Sequence, residues 1–239
     1  MTIYTKTLKT AHYKKTSRIF VIVKYVMIIM FCTLVYSKPS MGQTLIKVVD
    51  QHNTPLRNAV IEYVAELTTT NKKSADHIYV MDQINKEFSP EVLIVPVNSL
   101  VSFPNSDDIR HHVYSFSLAK TFELKLYAGK PKSPIHFDNT GVVVMGCNIH
   151  DSMVGYIYVT DKSQYYLTDE NGEAKLPQNS IPLNTQLQVW YAGSAAGVDK
   201  HTLFTLTQEV LNQDVITLML NVNTPKARDS FAELATHEH

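Results

Sequence analysis

The chain has 239 residues, and its shares of 44% hydrophobic and 18% charged residues are typical of a globular protein rather than a disordered one. The formal net charge is zero, but residues 1–37 hold six basic residues and no acidic one, which leaves 16 basic and 22 acidic residues in 38–239. This acidic remainder argues against nucleic acid as a partner, because binding to phosphates needs a basic surface.

The first 37 residues have the pattern of a secretory signal peptide, a basic start followed by the uncharged stretch "YVMIIMFCTLVY". Residues 19–36 are long enough to cross a membrane but contain Lys24, which makes them marginal as a membrane span. Two interpretations of 1–37 therefore stay open, a cleaved signal peptide and an N-terminal membrane anchor that attaches the protein through residues 19–36. Both predict export, and we expect a periplasmic protein that is either free or held at the inner membrane.

Short runs rich in β-branched and aromatic residues follow, separated by turn residues. From residue 78 onward such runs become dense, as in "EVLIVPV" and "MVGYIYVT", and they predict an all-β protein built as a Greek-key sandwich or barrel. Only "TQEVLNQDV" near 207–215 has a helical pattern, and it fits a turn between strands equally well. The polar residues 224–239 are predicted to form a flexible tail.

The stretch "MGCNIHDSM" holds the clearest chemical signal, because Cys147, His150 and Met153 follow one another at three-residue spacings. A thiolate, two imidazoles and a weak axial thioether are ligands that suit copper in both oxidation states. The second imidazole would come from His111 or His112 upstream. Taken one at a time, each of these residues is more often an ordinary core or surface side chain.

The stretches "EFSPEVLIVPVNSLVSFPNSD" and "CNIHDSMVGYIYV" resemble the cupredoxin family of small blue copper proteins, such as plastocyanin and amicyanin. The resemblance covers residues 76–160 and implies a cupredoxin-like Greek-key β-sandwich with one mononuclear type 1 copper ion. It implies the ligands His111, Cys147, His150 and Met153. His112 falls on a position where the family has an asparagine, and it is the alternative to His111. The two-residue gap before Met153 most resembles amicyanin and hints at a methylamine-utilization type.

The flanking stretches "VVDQHNTPLRNAVIEYV" and "TDENGEAKLP" resemble the carboxypeptidase-regulatory-like β-sandwiches. This resemblance implies a second small β-sandwich formed by residues 41–70 plus 161–223. The copper-type segment would then be inserted into this sandwich or packed on it.

These features predict a protein that carries single electrons between redox partner proteins of unknown identity and is not an enzyme. A periplasmic copper-binding or delivery protein with the same ligands is the main alternative, and a catalytic copper site with an open position is another. Structural zinc is less expected, because it prefers two or more cysteines or a closed set of cysteine and histidine ligands without methionine. A nucleophilic Cys147 with His150 as its base would need an orienting group that the adjacent Asp151 does not supply.

Asp107 and Asp108 are expected to lie on a solvated loop, with partner docking as the alternative.

Overall fold

The computed structural model describes residues 43–65, 77–131, 133–177 and 181–223. The predictions for 1–37 and for the tail 224–239 fall outside the described residues. The described strands are β1 (Gln43–Asp50), β2 (Val60–Tyr63), β3 (Ile78–Val80), β4 (Asp82–Ile84), β5 (Glu87–Ser89), β6 (Val92–Pro96), β7 (Ser99–Ser102), β8 (His111–Ser117), β9 (Lys120–Tyr127), β10 (Ile135–Phe137), β11 (Gly141–Cys147), β12 (His150–Thr160), β13 (Tyr165–Leu167), β14 (Glu173–Pro177), β15 (Thr185–Trp190), β16 (Thr202–Leu206) and β17 (Val215–Leu220).

The central strands form one sandwich. Its larger sheet has the order β6-β12-β11-β8-β9, and its smaller sheet has the order β10-β7-β3. Within the larger sheet β6 and β12 are parallel, and the other pairs are antiparallel. The two sheets enclose a buried core that includes Val95, Phe103, Phe137, Val143 and Ile157. The small hairpin of β4 and β5 contacts β12 beside this core.

The flanking strands form a second sandwich from the two ends of the described chain. One sheet has the order β14-β1-β17 and the other has the order β13-β2-β15-β16. Their shared core contains Ile46 and Ile61 from the first flank and Leu176, Leu187 and Leu218 from the second. The predicted all-β class, with a central sandwich and a second sandwich built from flanking segments, is confirmed.

A third buried cluster joins the two sandwiches. It combines Val60 and Trp190 of the flanking sandwich with Val92 and Tyr158 of the central one. Beside it, the hydroxyl of Tyr158 donates to Glu62 Oε2 over 2.8 Å. All described strands belong to one compact unit. That residues 76–160 form a separate domain therefore stays a prediction.

Helical structure is nearly absent from the described part of the chain. The segment for which the sequence allowed either a helix or a turn contains the four-residue helix α1 (Gln208–Leu211), which begins after the N-cap residue Thr207. Among the described residues, no helix has the length and the apolar character that are needed to cross a membrane.

Candidate metal centre

The alternation of side chains along two neighbouring strands brings the first two candidate ligands together. In β11 the buried residues are Val143, Met145 and Cys147, so that the thiol lies on the inner face of the sheet. In β8 the same alternation buries His111 and turns His112 toward the opposite face. Because Cys147 pairs with Val113, His111 lies on the inner face near the thiol.

The third candidate follows from a short turn. Strand β11 ends at Cys147 and β12 begins at His150, and these two residues face each other across the hairpin. Between them Asn148 donates its backbone N–H to the carbonyl of His112 over 3.0 Å, which ties this hairpin to β8. The Cys-x-x-His spacing thus places thiol and imidazole together through local geometry alone.

The three side chains form a compact cluster. The Sγ atom of Cys147 lies 3.6 Å from Nδ1 of His111 and 3.8 Å from Nδ1 of His150. All three donor atoms lie within 4.8 Å of one another. The side chains of His111 and Cys147 are buried, with exposed fractions of 0% and 3%, whereas His150 is partly exposed. The cluster therefore has a closed inner side and one edge near the solvent.

Met153 is also buried, at 1% exposure, in the same apolar cluster as Cys147 and Val113. It lies three residues beyond His150 on β12, on the buried face of the strand that also includes Gly155 and Ile157. Its role as the weak axial ligand stays a prediction.

The neighbouring imidazole of His112 has a different environment. Its Nε2 atom lies 2.8 Å from Glu123 Oε1 on β9, on the outer face of the sheet. The structure therefore brings His111, and not His112, to the thiol of Cys147.

The spacing of these atoms fits a bound metal ion. An ion bonded at about 2.3 Å to a thiolate sulfur and at about 2.0–2.1 Å to an imidazole nitrogen, with bond angles near 110–120°, separates these two atoms by about 3.5–3.8 Å. The distances of 3.6 Å and 3.8 Å from Sγ to the two Nδ1 atoms agree with this geometry. Because the set is one thiolate and two imidazoles with a buried thioether nearby, its chemistry favours copper over structural zinc.

Asp107 is one further residue at the site, and its contact there is not indicated by the sequence pattern. Asp107 was expected on a solvated loop, but its side chain is only 11% exposed and its Oδ2 lies 2.7 Å from Nε2 of His111. Its neighbour Asp108 is exposed, as expected. Burial alone would raise the pKa of the Asp107 carboxyl. Hydrogen bonds from the backbone N–H of Lys86, from His111 and from the backbone N–H of Asn85 outweigh burial, so that this pKa lies below its usual value.

Asn105 ties the loop before β8 to the rest of the central sandwich. Its side-chain amide donates to the carbonyl of Ile109 over 2.8 Å and to the carbonyl of Tyr127 over 3.0 Å. Its Oδ1 accepts the backbone N–H of Asp107 over 3.1 Å. These three bonds fix the loop from which Asp107 reaches His111.

No protein-family model and no curated protein matches the chain. Among solved structures, it is similar to a purple cupredoxin from Nitrosopumilus maritimus, with 23% identity and a TM-score of 0.31 over 36% of this chain and 100% of that chain. It is also similar to an oxidised amicyanin variant, with 19% identity and a TM-score of 0.32 over 42% of this chain and 98% of that chain.

A third similar structure is a copper-containing nitrite reductase from Thermus scotoductus, with 24% identity and a TM-score of 0.33. The match covers 41% of this chain and 25% of the reductase. These neighbours include cupredoxins, the family that the sequence resembles. The methylamine-utilization type stays a prediction.

Proposed function

We propose that the chain is an exported type 1 copper protein that carries single electrons between redox partner proteins. The observation that carries this proposal is the buried thiol of Cys147 with the Nδ1 atoms of His111 and His150 at 3.6 Å and 3.8 Å. Bound copper would supply one-electron chemistry between its two oxidation states.

In this proposal, rigidity is the main contribution of the protein. Cys147 and His111 lie on paired strands in the middle of a five-stranded sheet, and His150 begins the next strand. Ligands fixed in this way cannot rearrange freely, so that gain or loss of an electron requires little movement of the protein. Met153 would serve as the weak fourth ligand, so that no position would stay open for a substrate.

We assign the partly exposed edge at His150 to electron exchange with partners. His111 and Cys147 are enclosed, whereas Ile149, in the turn beside His150, is 48% exposed. Electron exchange with partner proteins, the export of the chain and its periplasmic location, free or attached through residues 19–36, are parts of this proposal.

The proposal is tested by loading the purified protein with Cu(II) and cycling it between oxidised and reduced states at an electrode. An electron carrier is expected to show an intense visible absorption from thiolate-to-copper charge transfer, and a reversible one-electron wave without loss of metal. Copper that is released on each reduction would contradict the carrier function and favour copper delivery. A Cys147→Ser variant, which removes the thiolate, serves as the control without this absorption.

A further inference from the structure

The carboxylate of Asp107 lies beside the candidate ligand His111 but is not itself a candidate ligand. It contacts the ring of His111 at Nε2, on the side opposite to the Nδ1 atom that faces Cys147. The side chain of His111 has no exposed surface and that of Asp107 is 11% exposed. A charged acceptor at 2.7 Å in such surroundings is weakly screened by solvent.

Asp107 is itself held in place from outside the ligand strands. The turn between β4 and β5 donates the backbone N–H of Asn85 to its Oδ1 over 2.6 Å and that of Lys86 to its Oδ2 over 2.9 Å. Asn85 and Lys86 have positive φ angles of 55° and 63°, as in a tight type I′ hairpin turn. The geometry of this hairpin therefore directs two N–H groups at the carboxylate.

We infer that Asp107 is a positioning residue for copper, which fixes Nδ1 of His111 as the ligand atom and favours the oxidised state of the ion. This inference rests on the proposed function. A carboxylate that accepts the Nε2–H bond settles the tautomer and makes the imidazole a stronger donor. Its negative charge stabilises the doubly charged Cu(II) ion more than Cu(I).

The chain offers a matched control in a second carboxylate–histidine pair. Glu123 Oε1 lies 2.8 Å from Nε2 of His112, the residue next to His111, but this pair is on the outer face of the sheet. Neutralising Glu123 removes the same charge from the same region without changing a bond to a proposed ligand. If His112 were the ligand, the roles of the two carboxylates would be exchanged.

The test compares the full-length wild-type protein with the Asp107→Asn and Glu123→Gln variants, loaded with copper at an electrode that supplies the electron. Loss of an outer carboxylate at a metal site changes metal affinity by about 10–100-fold. Asp107→Asn is expected to keep the thiolate absorption and to shift the reduction equilibrium about tenfold toward Cu(I), which is a rise of about 59 mV for one electron. Glu123→Gln is expected to shift it less than twofold.

A change of less than twofold in Asp107→Asn, or an equal change in both variants, would overturn the inference while leaving the proposed function in place. Wild-type protein that takes up no copper would overturn both. A measurement that needs no variant is nitrogen NMR of the wild-type Cu(I) protein. A proton on Nε2 of His111 is expected, and a bare Nε2 would overturn the inference.

Discussion

Replacement of Trp190 by alanine tests whether the two sandwiches stabilise each other. The indole is fully buried and lies with its ring centre 5.6 Å from that of Tyr156 and 5.6 Å from that of Tyr158. Its Nε1–H donates to the carbonyl of Val198 over 2.7 Å. Loss of a buried aromatic side chain lowers the free energy of unfolding by about 3–5 kcal/mol. This is a large part of the total free energy of unfolding, which is about 5–15 kcal/mol for native proteins.

The assay is urea unfolding of the metal-free protein followed by circular dichroism, together with hydrogen exchange of backbone N–H groups. We expect Trp190→Ala to lower the free energy of unfolding by about 3–5 kcal/mol. Exchange should accelerate in β12, which contains Tyr158 and also the candidate ligand His150. The control is Leu203→Ala on the neighbouring strand β16, where the side chain is 61% exposed and the expected change is within about 0.5 kcal/mol.

Two results would show that the sandwiches do not stabilise each other in this way. A loss of less than about 1 kcal/mol in Trp190→Ala would show that the cluster between the sandwiches contributes little to stability. Faster exchange confined to the flanking strands, with β12 unchanged, would show that the two sandwiches unfold independently.

Three further predictions concern the ligands, the pH dependence of stability and the packing behind the site. His111→Ala should abolish the visible absorption of the copper-loaded protein and His112→Ala should retain it, and the reverse result would assign the ligand to His112. Burial lowers the pKa of His201 below its usual value of 6.5. The unfolded chain therefore takes up this proton first, and the free energy of unfolding falls as the pH drops from 6.5 through the lower folded pKa. His201→Gln should flatten this slope in urea titrations between pH 7 and 5, and an unchanged slope would contradict the assignment. A Cβ added at Gly155 would lie 2.7 Å from Cβ of Phe88, so that Gly155→Ala should cost about 1–3 kcal/mol in urea unfolding, whereas an unchanged stability would show that β5 moves freely.

The strand pattern and the close pairing of Cys147 with His150 could be predicted from the sequence because both depend on short-range geometry. Alternation along a strand needs only neighbouring residues, and a Cys-x-x-His hairpin needs only a two-residue turn. The same alternation in "HHVYSFS" separates His111 from His112, because Val113 shares the buried face with the first of them.

The contacts that the sequence did not reveal join distant parts of the chain. Asp107 is held by a turn that lies 21 and 22 residues earlier, and its role depends on where that hairpin packs. The bond between Tyr158 and Glu62 spans 96 residues and crosses from one sandwich to the other. No local periodicity encodes such contacts, since they depend on the packing of whole sheets.

X-ray absorption at the copper edge, on wild-type and Cys147→Ser protein loaded with Cu(II), tests the central claim most directly. We expect one copper per chain, with one short bond to sulfur and two to imidazole nitrogen, and loss of the short sulfur bond in the variant. Wild-type protein that binds no copper, or that holds it without a sulfur neighbour, would disprove the proposed copper site at Cys147.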